Sequence, residues 1–74
     1  MFSPDRSPSL FAIRNAQALN EWREAARLVS ARWGTFVQAE REARTFAFAS
    51  YVAALDAEEA AAAQVAALMT PLAA

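Results

Sequence analysis

The side chains that could do chemistry in this 74-residue chain are carboxylates and guanidinium groups, because histidine, cysteine and lysine are absent. Nucleophilic triads need a histidine or a substitute base, and the usual zinc ligands are histidine and cysteine. Helical di-metal sites use Glu-x-x-His pairs, which this chain cannot form. The single glycine, Gly34, also excludes the glycine-rich loops that hold phosphate groups. The sequence therefore predicts no catalytic residue, no metal site, no cofactor and no enzymatic activity.

Two weaker chemistries are compatible with the charged residues. Magnesium could in principle bind the acids of the second half, Glu40, Glu42, Asp56, Glu58 and Glu59. Such runs of acids in a helix usually form a solvated face, so we assign no metal ligand. Nucleic acid could contact the arginines Arg23, Arg27 and Arg32, but acidic residues share their surface. The net charge of −1 argues further against a nucleic-acid partner.

The length of the chain limits it to one small domain. A chain of this size buries only about 60–65% of its unfolded surface and usually needs a disulfide, a metal or a partner. The composition is 57% hydrophobic with one glycine and no cysteine, and its abundant alanine favours helix. We therefore expect the protein to be stabilised by association, either with itself or within a larger protein complex.

Membrane and targeting signals are not predicted. Residues 1–6 lack the basic start and apolar run of a signal peptide. The two most apolar windows, 46–55 and 60–69, are about half the length of 18–20 residues that a spanning helix needs. We expect a protein that does not span a membrane and that works in the cytoplasm.

Residues 32–36, with the sequence Arg-Trp-Gly-Thr-Phe, decide between a helical hairpin and one long helix. Gly34 could end a helix with positive φ, and Thr35 with Gln38 has the spacing of a capping box. An apolar stripe nevertheless continues through the glycine and stops after Val37. We place the reversal between Arg32 and residue 41, and predict an all-α, two-helix antiparallel hairpin. A single long rod is the alternative.

The remaining boundaries follow from helix start and stop signals. Two Ser-Pro steps predict an extended N-terminal arm over residues 1–8. The hairpin domain covers residues 9–70, with Ser9 and Ser7 as competing caps of the first helix. Thr70 and Pro71 end the second helix and leave a C-terminal tail over residues 71–74. Asp56 resembles a helix cap, so a short third helix starting there is a further alternative.

A heptad pattern predicts which residues lie between the two helices. In the first helix it runs through Leu19, Trp22, Ala26, Val29, Trp33 and Phe36. In the second helix it continues through Ala47, Ser50, Ala54, Ala57, Ala61, Gln64 and Leu68. Most of these later positions are small, which allows two helix backbones to approach closely.

The large apolar residues predict a protein that works by docking helix faces. One surface contains Trp22, Val29, Trp33 and Phe36, and the other contains Phe46, Phe48, Tyr51, Val52 and Leu55. One of them closes the hairpin and the other meets a protein partner. We expect a non-catalytic interaction or structural protein, acting as an oligomer or as a small subunit of a larger assembly. The alternative is a small regulator or inhibitor, phage-encoded or antitoxin-like, that blocks a site on an enzyme or nucleic-acid machine.

Overall fold

The computed structural model describes residues 9–69, and all regular structure in that range is helical. Helix α1 spans Leu10–Val37 and helix α2 spans Arg44–Met69, with a 3-10 turn at Arg41–Ala43 between them. The two helices pack against each other. The predicted all-α hairpin is therefore confirmed, and the single long rod is wrong.

The two helices are antiparallel. Trp22 lies opposite Glu58, whereas Trp33, eleven residues further along α1, lies opposite Tyr51. As the contacting residue on α1 moves towards the C-terminus, its partner on α2 moves towards the N-terminus. At about 1.5 Å per residue each helix is roughly 40 Å long. Between residues 9 and 69, neither helix combines the length and the apolarity that crossing a bilayer requires.

Helix α1 begins at the cap that the sequence offers at Ser9. This residue is extended, with φ −64° and ψ 161°, and its Oγ accepts a hydrogen bond from the Ala12 amide at 3.0 Å. The competing cap Ser7, the predicted arm over residues 1–8 and the predicted stop and tail at residues 70–74 lie outside the described residues.

Gly34 and Thr35 lie inside α1, so the predicted helix end and capping box at these residues are wrong. No described residue has positive φ, so Gly34 does not use the freedom that is special to glycine. The Thr35 hydroxyl donates to the Ala31 carbonyl at 3.1 Å, one turn back in the same helix. A glycine inside a helix costs only about 1 kcal/mol, which the continued helix and its packing offset.

The chain reverses over Gln38–Glu40, within the predicted interval. The Gln38 amide still donates to the Gly34 carbonyl at 3.3 Å, and the Ala39 amide donates to the Phe36 carbonyl at 3.1 Å. These contacts tighten the last turn of α1 and satisfy two of its free carbonyls. The reversal uses neither glycine nor proline.

The entry into α2 is a tight turn. Glu40 is extended, with ψ 157°, and its carbonyl accepts from the Ala43 amide at 2.9 Å to form the 3-10 turn. The Arg44 guanidinium donates to the Ala39 carbonyl at 3.5 Å, on the far side of the connection. The reversal is therefore closed by local hydrogen bonds around a single extended residue.

Helix α2 runs without a break through Asp56, so the proposed third helix is wrong. Nothing near Asp56 stops a helix, since Leu55 and Ala57 flank it and α2 contains neither proline nor glycine. Continuity also keeps Glu58 in line with Tyr51 and Ala54, which face α1. The acids at 56, 58 and 59 are therefore side chains of an uninterrupted helix.

The core of the hairpin is thin and made of small side chains. Within residues 9–69 the buried residues are Ala18 in α1 and Ala47, Ala54 and Val65 in α2. No described side chain is less than 2% exposed. The predicted close contact through small residues at 47 and 54 is therefore confirmed, but these residues do not amount to a hydrophobic core.

We call the line along which the two helices touch the seam. On α2 the seam differs in part from the predicted heptad frame. Its buried and half-buried residues repeat with heptad spacing at Ala47, Tyr51, Ala54, Glu58, Ala61, Val65 and Leu68. Ala57 and Gln64 were expected there and are exposed instead, as are Ala26 and Trp33 of α1. The predicted positions 47, 54, 61 and 68 do belong to the seam, and Ser50 is half-buried beside it. On α2 the predicted frame is therefore rotated by part of a turn relative to the observed seam, because the non-helical residues 38–40 separate the two helices.

Candidate functional site

Four aromatic side chains form a cluster across the two helices near the reversal. The Trp33 ring lies 5.0 Å from that of Tyr51 and 5.5 Å from that of Phe36, measured between centroids. The Phe48 ring lies 5.4 Å from that of Phe36 and 6.2 Å from that of Tyr51. All four contacts are tilted, within the range that favours aromatic pairs. This cluster, called the aromatic cluster below, joins α1 to α2.

The cluster corrects the predicted division into two separate surfaces. Trp33 and Phe36 were expected on one surface and Phe48 and Tyr51 on another, yet their rings are in contact. The cause is the phase shift at the reversal, which turns Tyr51 into the seam and brings Phe48 beside it. The residues expected to close the hairpin and those expected to meet a partner therefore belong to one continuous cluster.

One broad side of the hairpin is apolar beyond the aromatic cluster. The helical period places five side chains on this side, Trp33 and Val37 from α1 and Phe48, Val52 and Leu55 from α2. We call these five residues the apolar face. Although Trp33 and Phe48 touch other rings, they remain 47% and 48% exposed, and Val37 is 54% exposed. Side chains of this size usually lose far more of their surface on folding.

The opposite side of the hairpin contains open grooves between the two helices. One groove is lined by Leu28, Arg32, Ala53 and Ala57, among others. A second groove nearer the open end is lined by polar side chains including Arg14, Gln17, Glu21 and Gln64. We call this side the grooved face. Its small and charged residues contrast with the aromatic and branched residues of the apolar face.

The remaining predicted interface residues lie outside the apolar face. Trp22 is half-buried in the seam, where its indole Nε1 donates to Glu58 Oε2 at 2.9 Å. Val29 is half-buried in the seam of α1. Phe46 is 77% exposed and lines a groove of the grooved face with Arg32. Trp22 and Trp33 therefore lie on adjacent parts of one side of α1. On α2, Trp22 contacts Glu58 and Trp33 contacts Tyr51.

Val37 is a member of the apolar face that the predicted interface omitted. It continues the apolar stripe of α1 beyond Trp33, with the spacing of four residues that places two side chains on one side of a helix. That spacing was visible in the sequence. The apolar stripe predicted from the sequence already ran to Val37, although Val37 was not included in the predicted interface.

The charged side chains of the described residues are mostly solvated. The Arg27 guanidinium pairs with the Glu24 carboxylate three residues earlier in α1, a spacing at which side chains on a helix can meet. No ion pair joins the two helices within residues 9–69. The same residues contain no group of three or more acids close enough together to hold a metal ion. The Trp22–Glu58 hydrogen bond is therefore the polar contact that fixes how the helices align.

Asn15 is the polar residue of the described chain with an unmet hydrogen bond. Its Oδ1 is buried near the open end of the hairpin and has no partner. Its side chain lies one turn before the buried Ala18 on the same side of α1. A buried polar atom without a hydrogen-bond partner costs stability.

The geometry is that of a hairpin with one apolar and one grooved face, and known proteins add no identification. Comparisons of this chain with protein families, with characterised proteins and with solved structures find no significant match.

Proposed function

We propose that this protein is a non-catalytic helical interaction protein that acts by docking its apolar face, as an oligomer or as a small subunit of a larger assembly. The observation that carries the proposal is the exposure of the apolar face beside a core of three alanines and one valine. A soluble domain rarely leaves adjacent aromatic and branched side chains half in water unless another molecule covers them. A cytoplasmic location belongs to the proposal and rests on the sequence alone.

Trp33 and Phe48 have the character of docking residues. Both are held in place by ring contacts from one side while about half of each ring faces outward. Such side chains lose little rotamer freedom when a partner arrives, so less of the interaction energy is spent on ordering them. Tryptophan is also among the residues most enriched at binding hot spots.

The experiment compares the same substitution on the two faces. Leu55 on the apolar face is 36% exposed and Leu28 on the grooved face is 41% exposed. Leu55→Gln should weaken association by about tenfold in sedimentation equilibrium at micromolar concentrations, since it removes apolar area from the docking face. Leu28→Gln is the matched control and should leave association unchanged.

The mass of the unmodified chain is the first readout of that experiment. Association should give a species larger than the 8.0 kDa of one chain. A partly unfolded monomer indicates that a different protein has to cover the face. A monomer with a cooperative melt at every concentration contradicts the proposal.

A further inference from the structure

Helix α2 carries a second heptad stripe beside the seam. It runs through Phe48, Val52, Leu55, Glu59, Ala62 and Ala66, with alternating spacings of four and three residues. This spacing is the signature of a helix that packs along its length against another helix. The seam already uses the neighbouring stripe for α1, and Phe48, Val52, Leu55 and Glu59 of the second stripe remain exposed beside it. This part of the second stripe could therefore pack against a helix outside the hairpin.

The charges at the two ends of the apolar part of this stripe are opposite. Arg44 comes eight residues before Val52, about 12 Å along the helix axis, and Glu59 comes seven residues after it, about 10 Å. Both side chains are exposed, and neither forms an ion pair with a described residue. The stripe is therefore positive at one end, apolar in the middle and negative at the other end.

This order of positive, apolar and negative residues matches the same stripe of a second α2 that runs in the opposite direction. If a second α2 lies antiparallel on the first, centred between Tyr51 and Val52, Phe48 of each copy falls opposite Leu55 of the other. The same arrangement sets Arg44 opposite Glu59 twice, once at each end. Two-fold symmetric interfaces have this property, since every contact occurs in duplicate.

We propose that a second copy of this chain covers the apolar face, stacked face to face and antiparallel to form a four-helix dimer. This inference rests on the proposed function and names the partner of the same face. The grooved face is turned outward in this dimer.

The register limits the size of the shared face. With Arg44 opposite Glu59, the two copies of α2 overlap over residues 44–59, about 24 Å of helix axis. With the adjacent part of α1 and helices about 10 Å wide, each copy contributes roughly 400 Å², a small interface whose association depends on protein concentration. The dimer gives each chain the core that its own seam does not provide.

Charge reversal tests both the partner and its orientation. Arg44→Glu and Glu59→Arg each place like charges together twice in the dimer, and each should raise the dimer dissociation constant about tenfold at low salt. The double variant Arg44→Glu/Glu59→Arg restores opposite charges and should bring the constant back to within about threefold of the unmodified chain. Mixing the two single variants should also restore dimerisation.

Arg27→Glu is the matched control, because Arg27 points away from the apolar face on α1 and pairs only with Glu24. It should leave the dissociation constant unchanged while making the same change of charge as Arg44→Glu. The readout for all variants is sedimentation equilibrium, with helicity followed by circular dichroism to confirm that each variant is folded.

The outcomes separate the inference from the proposed function. Association that depends on Leu55 but not on Arg44 or Glu59 overturns the antiparallel dimer and leaves the docking face standing. A partly unfolded monomer also overturns the antiparallel dimer and leaves the docking face standing, since the partner is then a different protein. A well-folded monomer overturns both.

Discussion

Gly34 occupies a regular helical position in which no property of glycine is needed. It lies inside α1, its φ is not positive, and a Cβ atom added to it would meet no atom within 4 Å beyond its own helix and neighbours. Glycine here costs helix stability through the extra freedom of the unfolded chain. The residue therefore weakens α1 close to the reversal without shaping it.

Replacing this glycine tests that conclusion. Gly34→Ala should stabilise the protein by up to about 1 kcal/mol, because alanine has the higher helix propensity and enters open space. Thermal unfolding followed by circular dichroism should show a higher Tm. Ala16→Gly, at an exposed position of the same helix, is the control and should lower the Tm by a similar amount. A lower Tm for Gly34→Ala would show that the glycine has a strained backbone in solution.

The two helices of the hairpin are joined by different contacts near the reversal and near mid-length. Near the reversal the aromatic cluster joins α1 to α2. Some 11 residues earlier in α1, the Trp22–Glu58 hydrogen bond at 2.9 Å does the same with a polar contact. Between them the buried Ala54 and the half-buried Val29 occupy the seam. The aromatic side chains thus act at separate points along the line of contact.

A double-mutant cycle should detect the contact between Trp33 and Tyr51. Each alanine substitution should destabilise the protein by about 2 kcal/mol, less than for a fully buried aromatic residue, because Trp33 is still half exposed. The coupling between them should be about 0.5–1.5 kcal/mol, the range for aromatic pairs. Chemical denaturation at one fixed protein concentration measures all four variants.

The control cycle pairs Trp33 with Phe46, which lies on the other side of α2 and lines the grooved face. Those two substitutions should be additive to within about 0.5 kcal/mol. If the coupling of Trp33 with Tyr51 is no larger than its coupling with Phe46, the aromatic cluster does not hold the helices together in solution.

At the scale of the whole molecule, the hairpin is a two-helix layer with little interior. Two helices have one line of contact, and here most of the buried residues on that line are alanines. Each alanine contributes little apolar area, whereas the larger side chains remain on the two broad faces. Stability of such a layer is expected to depend on what covers it, so folding and association should be linked.

Linked folding and association make the melting temperature depend on concentration. A tenfold increase in protein concentration should raise the Tm by roughly 3–5 °C, as expected for a small dimer that unfolds to separate chains. Scans by circular dichroism between micromolar and hundred-micromolar protein measure this dependence. A cooperative melt with the same Tm throughout that range would show that one hairpin is stable alone.

The features that depend on local chemistry could be predicted before the structure was known. Abundant alanine and the scarcity of glycine and proline made both segments helical, and the end of the apolar stripe at Val37 located the reversal. Ser9 was identifiable as a cap because its hydroxyl can reach an amide three residues on. Ala47 and Ala54 were predicted between the helices by the heptad frame, and both are buried there.

Only the tertiary structure decided which side of α2 faces α1. Helix α2 is apolar almost all round, so its sequence contains several stripes that could form the seam. The non-helical residues 38–40 and the 3-10 turn set its phase, and no pattern carried through the reversal could predict that rotation. The rotation placed Tyr51 against Trp33 and Glu58 against Trp22, and left Phe48, Val52 and Leu55 on the apolar face. Helix formation is a local property, whereas the choice among equivalent stripes depends on packing between residues distant in the chain.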